Sequence, residues 1–289
     1  MPVRLVTRHT IDIGTLRKAA GHKFSHGHPL VLSGGPARTG AARLAARGAL
    51  RIGAGLVTLA VPPAALQEVA AQVTAVMLRS CEDASALRAL LDDRRITAIC
   101  AGPGLGLEGI QEGLLAEVLA ARRPTVLDAD ALTLLSRSPS LRAALHAHCL
   151  LTPHDGEFTR LFPGIAERLS AAPAKGPAMS RLDAAREAAR DVGCPVLLKG
   201  PDTVIALPDG AASIHAASYD RAAPGLATAG AGDVLAGFIA GLLARGRDVR
   251  SAAETASWLH VECARVFGPG LIAEDLPEIL PRVLRDLEA

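Results

Sequence analysis

The chain has 289 residues, 49% hydrophobic and only 2% aromatic, and its 31 basic and 29 acidic side chains leave a net charge of +2. That length can bury a sizeable core, built here of Ala, Leu and Val, while the interspersed charges exclude the concentrated basic face that duplex nucleic acid requires. No apolar run reaches the eighteen residues of a membrane span, and the odd set Cys81, Cys100, Cys149, Cys194 and Cys263, without C-x-x-C, excludes a disulfide framework or zinc site.

In chain order, residues 1–28 are polar and His-rich, and 1–25 are expected to be a surface lead-in. Pro29–Ser33 is the first buried strand, followed by the loop Gly34–Gly40, a helix over Ala41–Ile52 and a strand over Leu56–Val61. Pro62 and Pro63 suit a helical first turn. A short strand over Ala75–Leu78, a helix over Ala84–Asp92 and a strand over Ile96–Ala101 continue the alternation. After the loop Gly102–Gly106 come a helix near Ile110–Ala121, the strand Thr125–Asp128, two short helices and the strand Cys149–Leu151. Residues 163–179, rich in Pro, Gly, Ala and Ser, read as a mobile surface loop. A helix over Arg181–Asp191 and the strand Val196–Leu198 follow, then two strands flanking the turn signal Pro208-Asp209-Gly210. Helices at about 233–244, 251–266 and 276–287 finish the chain.

Strands alternating with helices of this length indicate βαβ units and a mostly parallel sheet. The fold class is therefore α/β: one doubly wound domain over 1–289 with a late antiparallel hairpin at one edge. Ligands bind such sheets outside the carboxyl ends of the strands, where Gly34–Gly40, Gly102–Gly106, Asp128-Ala129-Asp130 and Thr152–Glu157 converge.

Several of these stretches carry chemistry on two readings. In Thr228-Ala229-Gly230-Ala231-Gly232-Asp233, small residues expose consecutive N–H groups at a helix start, which suits an anion. Asp233 is then either a carboxylate placed to take a proton from an attacking hydroxyl or an ordinary acid near a helix cap. Gly34–Gly40 lacks the Lys-Ser/Thr of a P-loop, and Gly102–Gly106 lacks the dinucleotide spacing. Asp128 and Asp130 can hold Mg²⁺ through water or cap the next helix. His154 and Glu157 share a helix face if one starts there; Glu157 then touches a hydrated Mg²⁺ and His154 a polar substrate, or both cap the helix. Lys199, at a strand end beside Gly200, can reach a phosphate.

Six of these stretches, in order, resemble one family. They are Gly34–Thr58; Gly102–Gly106; Asp128-Ala129-Asp130-Ala131-Leu132; Thr152-Pro153-His154-Asp155-Gly156-Glu157-Phe158; Leu198-Lys199-Gly200 with Thr203; and Ala227–Gly237. The family is the ADP/ATP-dependent NAD(P)H-hydrate dehydratases of the ribokinase-like superfamily. The resemblance implies a hydro-lyase of nicotinamide-nucleotide repair. The S-epimer of hydrated NADH or NADPH is phosphorylated by ADP (or ATP), and with ADP the products are NAD(P)H, AMP and phosphate. It implies Asp233 as the base; Gly230, Ala231 and Gly232 as the anion hole; Lys199, Gly200, Pro201, Asp202, Thr203 and Gly232 as adenine-nucleotide contacts. Ala42, Gly104, His154 and Asp233 line the substrate site, and Glu157 stands near Mg²⁺ through water. It further implies an NAD(P)H-hydrate epimerase as functional partner, a cytoplasmic homotetramer, and a chain that is either a stand-alone dehydratase or half of a fusion.

Two positions depart from the family pattern: Ala231 stands where relatives often have Ser or Thr, and the segment Tyr219–Pro224 lacks an Asn. The competing readings are a ribokinase-like kinase of a small hydroxymethyl compound, of the thiamin-precursor kind, and a non-catalytic adenine-nucleotide sensor.

Overall fold

Ten strands form a single sheet in the computed structural model, which describes residues 2–172 and 176–288. The strands are β1 (Val3–Leu5), β2 (Pro29–Leu32), β3 (Thr58–Val61), β4 (Met77–Ser80), β5 (Ala98–Ala101), β6 (Thr125–Leu127), β7 (Cys149–Leu151), β8 (Val196–Leu198), β9 (Asp202–Ala206) and β10 (Ala212–Ala216). Their spatial order is β1-β10-β9-β8-β7-β6-β5-β2-β3-β4. From β8 to β4 every pairing is parallel, and β9 runs antiparallel to both β8 and β10.

The parallel strands are short and apolar because helices cover both faces. Adjacent residues therefore serve different cores. Val31, Cys100, Val126, Leu150 and Leu197 face one cluster with α1 (Gly40–Arg51), α2 (Leu66–Ala70), α10 (Ala231–Ala244), α11 (Val249–Phe267) and α12 (Asp275–Glu288). Leu30, Leu32, Ile99, Leu127 and Leu198 face the other, with α3 (Ala84–Leu91), α4 (Gly109–Ala120), α5 (Asp130–Arg137), α6 (Pro139–Ala143), α7 (Asp155–Leu161), α8 (Pro163–Ser170) and α9 (Arg181–Val192). All five cysteines are buried and unpaired, acting as small apolar residues.

On the first face α10 lies against α1 at close range. A Cβ on Gly237 would stand 2.1 Å from the Ala45 carbonyl oxygen, and one on Gly241 2.7 Å from that of Ala49. Glycine is required at both positions because two backbones meet there. Phe238, fully buried between them, anchors the pair; removing its ring would cost about 3–5 kcal/mol.

The structure alters four expectations. The stretch 163–179 is not a loop throughout: Pro163 opens α8, whose Ile165 and Ala166 are buried, while residues 173–175 lie outside the described residues. Pro at the first turn and the buried pair Ile165 and Ala166 are helix features that the small-residue composition masked. The strand expected at Ala75–Leu78 is shifted to Met77–Ser80, since β4 takes its register from β3. The antiparallel hairpin is β9–β10, but β1 pairs beyond it with β10, so the hairpin does not form the outermost edge. The lead-in 1–25 accordingly supplies a strand and buries Val6, Ile11 and Leu16.

Candidate functional site

The carboxyl ends of β2, β5, β6, β7 and β8 open onto one side, and the N-termini of α1, α7 and α10 start there. Two glycine loops are locked against each other. A Cβ on Gly34 would stand 1.9 Å from the Gly104 carbonyl oxygen, and Gly104, at φ +63°, sits against the Arg38 carbonyl and Ala41. Gly102, at φ +123°, leaves 1.7 Å between its missing Cβ and the Asp128 carbonyl oxygen. The residue after Asp128, Ala129, is itself at φ +46° without being glycine, a strained conformation of the kind concentrated at functional sites.

This sharp turn sends the two aspartates to different partners, and neither caps α5. Asp130 Oδ2 accepts from the Gly106 N–H at 2.8 Å, pinning the second glycine loop. Asp128, buried, accepts from Lys199 Nζ at 2.7 Å. Lys199 Nζ also lies 3.6 Å from Glu157 Oε2, so one ammonium bridges the ends of β6 and β8 and the start of α7. Burial opposes its charge, but Asp128 and Glu157 outweigh burial and hold the Lys199 pKa above its ordinary value.

The starts of α7 and α10 are built differently. His154 caps α7: its Nδ1 accepts from the Gly156 N–H at 3.0 Å, while the His154 N–H donates to Glu157 Oε2 at 2.9 Å. Nδ1 is therefore unprotonated and the ring proton is on Nε2, 3.6 Å from Glu157 Oε1. Helix α10 starts from Gly230 at φ +88° with no side-chain cap. The Ala231 N–H turns back to the Thr228 carbonyl at 3.4 Å; among the described residues the N–H groups of Gly230, Gly232 and Asp233 have no acceptor. Free N–H groups at the positive end of a long helix favour an anion.

Asp233 sits in the first turn of α10, partly buried. Burial, and after it the negative charge of Asp128, push its carboxyl up to about 7; Lys199 opposes them, and Asp130 and Glu157 add to the rise. A carboxylic acid that titrates near neutrality can take a proton and release it again.

Beside it lies a cleft of about 530 Å³ whose lining includes Lys199, Gly200, Pro201, Thr203 and Gly232. Asp202 is not part of the lining; its Oδ1 accepts from Ser218 Oγ at 3.2 Å. Opposite, α11 contributes Ser257 and His260, which sequence reasoning missed. Burial lowers His260 to about 4 and keeps it neutral, and its Nε2–H donates to the Ala231 carbonyl at 2.9 Å, steadying the α10 start. Among the described residues Ser257 Oγ is buried with no partner. The available signal was polar residues three apart, Glu254, Ser257 and His260, on a helix whose other positions are largely Ala, Leu and Val.

Of the remaining predicted residues, Gly104 is in the glycine-loop wall, whereas Ala42 is fully buried in α1 and has only backbone to offer. The carboxylates do not fit a magnesium ion held directly by the protein. Asp128 holds Lys199, Asp130 holds Gly106, and Glu157 spends one oxygen on the α7 cap with the other beside His154. No group of three or more His, Cys, Asp or Glu among the described residues is placed to hold a metal.

A family model described as NAD(P)H-hydrate dehydratase matches residues 29–282. A bifunctional NAD(P)H-hydrate repair enzyme of Moorella thermoacetica is 38% identical over 286 residues, 94% of this chain and 52% of the relative. The chain thus spans about half the length of the first curated relatives it matches. An ADP-dependent (S)-NAD(P)H-hydrate dehydratase of Xanthomonas campestris pv. campestris is 31% identical, with 98% of this chain and 96% of that one covered. Among solved structures, an ADP/ATP-dependent NAD(P)H-hydrate dehydratase from Bacillus subtilis, co-crystallised with ATP/Mg²⁺, superposes with a TM-score of 0.80 at 29% identity, covering 99% of each chain.

Proposed function

Since this chain belongs to the NAD(P)H-hydrate dehydratase family, we propose that it restores NADH or NADPH from the S-epimer of the hydrate in a reaction driven by an adenine nucleotide, ADP in the first instance. The observation that carries the reading is Asp233: a carboxyl raised to about 7 at the uncapped start of α10, beside the 530 Å³ cleft.

On this reading Asp233 takes the proton of the substrate's added hydroxyl. The hydroxyl oxygen attacks the terminal phosphoryl group of ADP, and AMP leaves. The C–O bond of the phosphorylated carbon then breaks, phosphate departs with the bonding electrons, and loss of a proton from the neighbouring carbon restores the double bond. The free N–H groups of Gly230 and Gly232 stabilise the phosphoryl group in flight; Ala231 contributes through backbone alone. The apolar walls of the cleft take the adenine, and the unpartnered Ser257 hydroxyl supplies a polar contact there. Lys199, Gly200, Pro201 and Thr203 hold the nucleotide's other end. Gly104 and the Nε2–H of His154 face the hydrated ring, with Ala42 contributing only backbone.

The same reading takes the described sheet and its helices as one dehydratase domain, assembled as a cytoplasmic homotetramer. It needs an NAD(P)H-hydrate epimerase to return the R-epimer to the usable pool. The test incubates the protein with hydrated NADH, MgCl₂ and ADP or ATP, and follows the absorbance of NADH. Recovery with ADP supports the reading. No recovery with either nucleotide sinks it, and nucleotide consumed only with a small alcohol substrate points to the kinase.

A further inference from the structure

A second pocket, of about 410 Å³, lies over the ends of β2, β3, β4 and β5. The 530 Å³ cleft lies over β8, β9, the start of α10 and the middle of α11. In the sheet order β9-β8-β7-β6-β5-β2-β3-β4, Asp128 at the end of β6 and its neighbour Asp233 fall between the two. On the side of the second pocket nearer β6, Gly34 and Gly104 pack backbone against backbone, and their neighbours Ser33, Gly35 and Leu105 line the pocket itself. At the usual strand spacing the pocket begins roughly 5–10 Å from β6. A dinucleotide whose nicotinamide meets Asp233 must send its other half somewhere, and the first cleft is taken by the phosphoryl donor.

The pocket's chemistry suits a nucleoside and specifies which one. Its floor is apolar, from Pro62, Pro63, Leu105 and Leu114, and so accepts the face of a base. Its rim carries Arg38, Glu82 and Glu108. Arg38 is spent on Glu108 at 3.0 Å, and Glu82 has no ion-pair partner among the described residues. The rim is therefore acidic on balance. A carboxylate accepts hydrogen bonds from ribose hydroxyls, whereas a 2′-phosphate there meets like charge and finds no uncommitted arginine. We infer that this pocket holds the adenosine half of the hydrated dinucleotide, and that Glu82 with the Arg38–Glu108 pair selects NADH hydrate over NADPH hydrate.

The inference rests on the proposed dehydratase function, and the experiment separates the two. In low-salt buffer with ADP, kcat/KM is measured for both hydrates. The expected result is a preference for NADH hydrate of about tenfold, shrinking at 0.5 M salt as the rim is screened. Glu82→Arg is expected to erase or invert the ratio through the KM of NADPH hydrate. Ala64→Trp, which fills the pocket from its rim, should raise KM for both hydrates and leave that for ADP in place. Equal efficiencies at low salt, or a ratio unmoved by Glu82→Arg in a folded variant, overturn the selectivity while leaving the dehydratase intact. If neither hydrate turns over, the function itself fails, and the affinities of NADH and NADPH, read from nicotinamide fluorescence, still decide the pocket: equal affinities in the parent protein overturn it.

Discussion

Helices α7 and α10 start on opposite faces of the sheet, both at the ends of its strands, and their first turns are finished in opposite ways. α7 closes on itself, with the His154 ring and the Glu157 carboxylate taking up its loose backbone groups. α10 begins with a glycine that has no side chain to offer and leaves its N–H groups facing outward. One start is closed by its own side chains; the other keeps its N–H groups without an acceptor among the described residues. The acid in each first turn follows the same division. Glu157 is engaged by protein on both oxygens, whereas Asp233 is raised to about 7 by burial and by Asp128.

The contrast is broken most severely by Asp233→Asn. Turnover should fall by on the order of 10²-fold or more while nucleotide affinity stays close to the parent's; an unchanged rate removes Asp233 as the base. The same variant should be more stable above pH 7. A carboxyl raised from 3.8 to about 7 binds its proton more tightly in the folded state. Its contribution to stability is therefore full at low pH and lost as pH rises towards 7. Without that group the protein should gain about 1 kcal/mol at pH 8 in a denaturant titration.

Gly230→Ser attempts to turn the open start into a capped one. The position is at φ +88°, and a Cβ there would stand 2.7 Å from Leu44 Cδ1 and 2.9 Å from Ala273 Cβ. A stability loss of about 1–3 kcal/mol is expected, together with weaker nucleotide binding by calorimetry; full retention of both would show that the open start has no role.

The acid limb of the pH profile gives a finer measure. kcat/KM should rise with pH through about 7 as Asp233 ionises. Asp128→Asn removes the neighbouring charge that is second only to burial, so the limb should move to lower pH; a limb that stays in place assigns it to another group. The smallest effect is expected at the closed start. His154→Ala should lower stability by about 1 kcal/mol through loss of the cap and raise KM for the hydrate by only a few-fold. A collapse of kcat instead would place His154 in the chemistry.

The sequence carried the alternating strands and the ordered loops because period and glycine position are local signals. β2, β5, β6, β7 and β8 are legible as unbroken apolar runs, and Gly230 and Asp233 as a glycine-rich helix start. What it could not show is pairing at a distance. Lys199 and Asp128 are 71 positions apart, and only the adjacency of β6, β7 and β8 explains why that lysine faces a carboxylate. β1 was hidden because its three residues are exposed and too short to show alternation. The α7 cap was one of two readings of His154 and Glu157, and the choice needed the helix to be seen. Ser257 and His260 were missed because a polar residue on an Ala-rich helix looks solvated until the neighbouring cleft is known.

The close approach of α1 and α10 has a consequence for heredity rather than for chemistry. Two backbones meeting at Gly237 and Gly241 admit no side chain of any kind, and Asp233 lies one turn before the first of those contacts. A random-mutation survey of this chain should therefore find intolerant positions deep in α10 that touch no ligand, grading from Ala to larger residues by size alone. Such a pattern, flat across polarity and steep across volume, is the genetic signature of a helix that serves as a ruler for the residues at its tip.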